Sequence, residues 1–358
     1  MKINILLGGI SKKQMPTGGY KVVYQYANKL SKKNNVTIYY TLENGKNERK
    51  VNPILWIALK KLYFLFNLKK YPNWFKLNKN VKQKVVTSFD EKNIKNGDVC
   101  IATAIKTSEY LNKYSEKKGK KVYFIQDFEN WNGISSKEVT DSYNFDMKKI
   151  VISNWLKNIV DKYSNSKSIF IPNGIDDSIF YVKNNIENRN NHSICMLFHK
   201  DERKNCKMGL EIINKLKENY QDLEVYLFGY PDRPSYLPDW INYIQNANEQ
   251  EVAKIMNKSA IYMCTSLQEG YGLPGLEAMF CGCALASTKC KGVLEYANNN
   301  NSMLCETNDL NEMFNNIVTL MNDNKKRIEI AKKGNIENKN RTLKISSELF
   351  EREIEMEK

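Results

Sequence analysis

Histidine is scarce in this chain, with His192 and His199 the only two among 358 residues, so no set of imidazoles is at hand for a histidine-built metal centre. Eight cysteines are scattered at 100, 195, 206, 264, 281, 283, 290 and 305 with no CxxC pair. Cys281-x-Cys283 has no partner histidine nearby, so the thiols read as buried and reduced, which points to the cytoplasm. Eight prolines and 17 glycines are too few for collagen or a mucin-like stalk. Long apolar runs are missing too. The stretch Ile54 to Leu68 is broken by Lys60-Lys61 and falls short of the 18 or more residues of a spanning helix. Met1 to Leu7 turns polar at Gly8-Gly9, too soon for a signal peptide. Acids are in deficit, 40 against 55 Lys and Arg, a net charge of +15 that suits a polyanion, a phosphate-bearing ligand or an anionic membrane.

What is present is a βαβ rhythm. Apolar runs at Lys2 to Leu7, Val36 to Tyr40, Asp98 to Thr103, Lys121 to Ile125, Lys149 to Ser153, Ser168 to Ile171, Ile194 to Phe198, Glu224 to Phe228, Ile261 to Thr265 and Cys283 to Ser287 read as strands. Between them lie helix-period stretches such as Tyr20 to Lys32, Met208 to Asn219 and Glu249 to Asn257. The alternation predicts α/β architecture with parallel sheets, and the length predicts two domains. The polar run Tyr181 to His192 is the best boundary by composition. The tail from Arg341 spaces Leu343, Ile345, Leu349, Phe350 and Ile354 as a helix that packs on one of the domains and can cross back to the first.

Residues 51–86 stand apart: eight lysines and no acid, interleaved with Trp56, Tyr63, Phe64, Phe66, Tyr71, Trp74 and Phe75. Such a segment suits the headgroup region of a membrane, or equally a core helix whose lysines are solvated. Nucleic acid is the weaker third reading, as no RNP, KH or helix-turn-helix pattern is visible.

The chemistry concentrates at Ser266-Leu267-Gln268-Glu269-Gly270-Tyr271-Gly272-Leu273-Pro274-Gly275-Leu276-Glu277. A strand runs into a glycine-rich turn, and Pro274 sits where a helix begins, because its missing N–H costs nothing there. The N–H groups of residues 271 to 273 then point at one spot suited to a phosphate. Glu269 and Glu277 flank it, placed to accept hydrogen bonds from hydroxyls of a sugar and a ribose, or else to serve as a helix cap and a surface acid. Gly270-x-Gly272-x-x-Gly275 also matches the dinucleotide fingerprint, but it lies in the second half of the chain, and Glu295 does not close the next strand as that fingerprint requires.

Glu269-x7-Glu277 within EGYGLPGLEAMFCG resembles the signature of retaining, nucleotide-sugar-dependent glycosyltransferases of the GT-B fold, in the large GT4 group (glycosyltransferase group 1). Thr17-Gly18-Gly19 is similar to the family's Gly-Gly loop, and Ile171-Pro172-Asn173-Gly174-Ile175-Asp176 to its interdomain PNGxD stretch. In His199-Lys200-Asp201-Glu202-Arg203-Lys204-Asn205, Lys200 and Lys204 fall near the family's phosphate-binding Arg and Lys, with Arg203 able to share the role. Many members carry histidine at the place of Gln126; the form Gln126-Asp127-Phe128-Glu129 looks like a branch that includes bacterial rhamnosyltransferases.

The resemblance implies two Rossmann-like domains, 1–175 for the acceptor and 176–338 for the donor, with a helix at 339–358 and the donor in the cleft. It implies transfer from a UDP- or dTDP-sugar, dTDP-rhamnose by the branch, to a cell-envelope glycan or lipid-linked acceptor, with retention. Glu269, Lys204 and Lys200 would be catalytic. Gly18, Gly19, Arg203, Gly270, Tyr271, Gly272, Leu273 and Glu277 would hold the donor, and Gln126, Asp127, Glu129 and Asn173 the sugar or acceptor. No cofactor and no obligatory metal are expected, nor any nucleic-acid partner; residues 51–86 would meet an anionic membrane from the cytoplasmic side. The competing readings are an epimerase or phosphorylase on the same fold, and a basic membrane- or nucleic-acid-binding protein.

Overall fold

The computed structural model describes residues 1–10, 16–42, 53–68, 71–131 and 133–355, apart from the side chains of 53–57, 60 and 65. The chain divides into two compact units, Met1–Pro172 with Ser347–Lys358, and Asn173–Ser346.

In the first unit, strands β1 (Lys2–Ile10), β2 (Asn35–Leu42), β3 (Lys82–Val86), β4 (Val99–Ala102), β5 (Lys120–Ile125), β6 (Lys148–Val151) and β7 (Ile169–Phe170) form one sheet, ordered β3-β2-β1-β4-β5-β6-β7. The pairings are parallel, which demands crossovers. These are supplied by α1 (Gly18–Leu30), α2 (Pro53–Asn67), α3 (Ile105–Asn112), α4 (Ser136–Ser142) and α5 (Asn154–Tyr163). Helix α1 starts where the Thr17 hydroxyl accepts the Tyr20 N–H at 3.4 Å, and it buries Val22, Val23, Tyr26, Ala27 and Leu30 at helical spacing. Because β2 and β4 flank β1 on opposite sides, the strand order reverses between β1 and β4. The crevice beyond their carboxyl ends is where such sheets bind ligands.

The second unit repeats the plan. Strands β8 (Ser193–Phe198), β9 (Glu224–Gly229), β10 (Ile241–Gln245), β11 (Ile261–Cys264), β12 (Ala284–Thr288) and β13 (Met303–Cys305) are ordered β10-β9-β8-β11-β12-β13. They alternate with α6 (Cys206–Asn219), α7 (Glu249–Lys258), α8 (Leu273–Phe280), α9 (Leu310–Asn322) and α10 (Asn324–Asn338). Ile194, Met196 and Phe198 of β8 meet Ile212, Ile213 and Leu216 of α6 in its core. The order reverses between β8 and β11. The chain has the GT-B fold of two parallel-sheet α/β domains.

Three segments bear on where the two units begin and end. The polar run 181–192 is no linker but part of the second unit. Ile186 is 6 % exposed in its core, and the buried Arg189 guanidinium donates to the carbonyls of Met256, Ser259, Asn184 and Cys281 at 2.6–3.2 Å. The division falls instead at Pro172/Asn173, just before the expected residue 175. In the tail, α10 ends at Asn338 and α11 (Leu343–Glu355) follows, with residues from Ser347 onward grouped with the first unit. There the Phe350 ring lies 4.9 Å from Tyr26 and 5.1 Å from Phe124, centroid to centroid.

In segment 51–86, residues 51–52 and 69–70 lie outside the described residues, as do the Trp56 and Lys60 side chains. Most of the remaining aromatics pack inward. Phe64 is 3 % exposed and Tyr71 stands edge-on to Tyr40 at 5.5 Å, while Trp74 and Phe75 lie 5.6 and 5.5 Å from the Tyr24 ring. The solvated-core reading holds for that face. No helix among the described residues is long and apolar enough to cross a membrane.

Candidate functional site

At the second reversal point two loops leave adjacent strands, 199–205 after β8 and 265–272 after β11. They are stitched together by backbone and side chain. Leu267 N–H donates to the Arg203 carbonyl at 2.7 Å, and the Thr265 hydroxyl bonds to the Lys204 and Asn205 carbonyls at 3.1 and 3.0 Å. Across this seam the Lys204 ammonium reaches both oxygens of Glu269 at 2.7 Å, with the Ser266 hydroxyl donating to Oε1 at 2.7 Å. Burial works against the Lys204 ammonium, yet the Glu269 carboxylate holds its pKa above the usual lysine value. Thus Lys204 and Glu269, expected separately as phosphate and sugar ligands, form one salt bridge at the mouth of the turn.

The turn itself is held from below. Gly272 has φ +80°, a left-handed conformation that a side chain would strain, and its carbonyl accepts the Tyr296 hydroxyl at 2.5 Å. Gly292 is needed for space: a Cβ there would lie 2.5 Å from the Glu269 carbonyl and 2.7 Å from the Tyr271 nitrogen. Gly270 is buried, and Tyr271 is 3 % exposed with its hydroxyl accepting from Arg341 at 3.2 Å. Leu273 opens α8, Pro274 follows it as foreseen, and Glu277 is 5 % exposed within the helix, not a surface acid. Lys200 is exposed, outside this pair. Arg203 is turned onto Asp201, which its guanidinium meets at 2.6–3.1 Å.

One residue escaped sequence reasoning. His199 stands at the carboxyl end of β8, its Nδ1 accepting the Asp201 N–H at 2.9 Å, so the neutral ring carries its proton on Nε2. Burial first, then the Lys204 charge, hold its pKa below the usual imidazole value. The only available signal was its position directly after a strand end.

In the first unit, Gln126 and Glu129 follow β5. The Gln126 amide lies 3.6–3.7 Å from where a Cβ on Gly19 would sit, beside Gly18 at the start of α1, and its Oε1 is buried without a hydrogen-bond partner. Glu129 Oε2 accepts the Ile105 N–H at the head of α3 at 3.0 Å. Burial, against that hydrogen bond, pushes the Glu129 carboxyl up to about 7. Asp127 accepts the Phe128 N–H at 2.8 Å. Asn173 is assigned to the second unit, 2 % exposed, with its Oδ1 buried and unpartnered.

Residues 193–323 match the family described as Glycosyl transferases group 1. No curated protein matches the chain. Among solved structures, HepE of Anabaena in complex with UDP is 16 % identical with a TM-score of 0.75, over 99 % of both chains. A variant of TarM from S. aureus, in complex with fondaparinux, alpha-GlcNAc-glycerol and UDP, is 11 % identical with a TM-score of 0.73, over 99 % of this chain and 100 % of that one. Sucrose-phosphate synthase from Thermosynechococcus elongatus is 12 % identical with a TM-score of 0.70, over 98 % of each. At such identities these likenesses establish the fold alone. Residues 193–323 therefore form a glycosyl transferases group 1 domain within a chain of GT-B fold.

Proposed function

We propose that the chain is a glycosyltransferase that moves a sugar from a nucleoside-diphosphate donor to a hydroxyl of a glycan or lipid-linked acceptor. The observation that carries this is the Lys204–Glu269 salt bridge at the turn leading into α8, on the reversal point of a parallel sheet. There the helix N-terminus and Lys204 offer positive charge to a diphosphate. Glu269 is held ready to accept hydrogen bonds from sugar hydroxyls, and buried Glu277 from the ribose. The neighbours crystallised with UDP support a uridine donor. The Gln126-Asp127-Phe128-Glu129 form leaves dTDP-rhamnose as the alternative.

In the transfer, the C1–O bond to the diphosphate breaks and a C1–O bond to the acceptor forms. The acceptor proton passes to the leaving phosphate on the face it vacates, so the product retains the configuration at C1. Lys204 offsets the charge that grows on the leaving group. Gln126 has no proton-accepting role, in keeping with an amide. Gln126, Asp127, Glu129 and the Gly18-Gly19 turn would contact sugar or acceptor. No metal is required, and Mg2+ should stimulate by less than about tenfold.

The test is the thermal unfolding midpoint with UDP, dTDP, GDP, CDP and ADP, for the wild type and Glu277→Ala. A nucleotide at about 100 times its dissociation constant adds about 2.7 kcal/mol to stability. A shift with UDP or dTDP that the variant loses is expected. No shift with any nucleotide would overturn the donor site.

A further inference from the structure

Helix α2 has an apolar face that the candidate site does not use. Leu59, Leu62 and Phe66 are 49 %, 51 % and 78 % exposed, with Tyr63 at 39 %. Steps of three and four residues put them on one stripe. The helix is anchored by its other side, where Phe64 is 3 % exposed and stands edge-on to Tyr71 at 6.1 Å. A helix seated on a sheet ordinarily turns polar residues outward, and α2 turns out leucine and phenylalanine.

The charge along its own stretch of chain has one sign. Between Val51 and Phe89 there are eight lysines and no acid, and Lys61, Lys76, Lys79 and Lys82 are exposed. An occupant must therefore be apolar where the stripe meets it and anionic around that contact. A second copy of this chain fits less well, because a two-fold contact through α2 would bring together two copies of a segment, 51–89, that holds eight lysines and no acid. Nucleic acid offers the charge, but its phosphates gain nothing from leucines, which give no stacking platform. An anionic lipid leaflet satisfies both conditions.

We propose that α2 docks the first unit on an anionic membrane surface, with Leu59, Leu62 and Phe66 entering the boundary between headgroups and acyl chains and the surrounding lysines drawing the chain to it. This goes beyond the donor reading and does not depend on it. A chain docked in this way would meet its acceptor at the membrane, which suits a lipid-linked one.

The experiment is co-sedimentation of the full chain, without nucleotide, with vesicles of phosphatidylcholine alone and of phosphatidylcholine mixed with phosphatidylglycerol. Binding to the mixed vesicles should exceed binding to the neutral ones by about tenfold and weaken with salt. Leu62→Ser with Phe66→Ser should reduce it by about tenfold at unchanged midpoint of unfolding, since both side chains are solvent-exposed. Lys61→Glu with Lys82→Glu should erase the preference for anionic vesicles. The proposal is overturned by wild type that sediments with neither vesicle, by equal binding of wild type and the serine variant, by a dimer that Phe66→Ser dissociates in the absence of vesicle binding, or by RNA binding that competes the vesicles away. The UDP-induced stability shift is read in parallel, so failure of docking and failure of the donor site are told apart.

Discussion

Two carboxyl groups beyond strand ends, Glu269 after β11 and Glu129 after β5, stand in opposite electrostatic settings. Glu269 is 10 % exposed and paired with Lys204, so removing the lysine alone would leave a buried charge unmatched, which typically costs about 3–5 kcal/mol. Glu129 has the Ile105 N–H and, nearby, the Asp127 carboxylate, which pushes in the same direction as burial. Its pKa of about 7 in the folded chain stands above the ordinary 4.5. Between those values the folded chain holds a proton that the unfolded chain releases. Stability from this group is therefore complete below about pH 4.5 and is lost as pH rises through about 7, approaching 3 kcal/mol. Glu129→Gln keeps an oxygen for Ile105 and cannot ionise. Unfolding midpoints from pH 5 to 8 should fall in the wild type by several degrees more than in the variant; parallel curves would remove Glu129 as the titrating group.

Elements were legible where they are buried on both faces. The central strands β1, β4, β5, β8, β11 and β12 are apolar runs, because helices cover a parallel sheet on both sides. The strands absent from the sequence reading, β3, β10 and β13, are all terminal in their sheets. An edge strand buries less and tolerates charge, as Lys82-Gln83-Lys84 does in β3, so it carries little apolar signal. The site followed the same division. Glu269 and Glu277 were visible because one turn and one helix fix their spacing. Lys204 was visible as one of several cations, but its pairing with Glu269 spans 65 residues and depends on two strands being neighbours. Gly292 carries no signal of its own in the sequence, and only the fold shows that it lies against the back of the turn. Gly292→Ala should therefore displace the Glu269 to Tyr271 backbone, costing about 1–3 kcal/mol in stability and at least about tenfold in UDP affinity. Nucleotide titration by calorimetry checks this, and wild-type affinity in the variant would mean that the turn does not depend on that contact.

At the scale of the whole molecule, the sequence runs through two units, yet its last helix completes the first. Phe350 of α11 is 2 % exposed among Tyr26 and Phe124, Ile354 is 1 % exposed, and Asn34 donates to the Glu351 carboxylate at 2.9 Å. Lys148 adds a half-buried ion pair to Glu353 at 3.5 Å. The apolar spacing of the tail made a helix legible, whereas its destination was not, since a periodic stripe names no partner. The aromatic triad makes α11 part of the first unit's core. Truncating a buried phenylalanine to alanine costs about 3–5 kcal/mol, which for units of this size lowers the midpoint by about 10 °C. Ile345→Ala, at a side chain 40 % exposed on the same helix, should change it little. Calorimetry with and without UDP separates the units: Phe350→Ala should lower the transition of the first unit, while UDP raises that of the second. If Phe350→Ala and Ile345→Ala have equal, small effects, α11 is a surface strap, and the first unit folds without it.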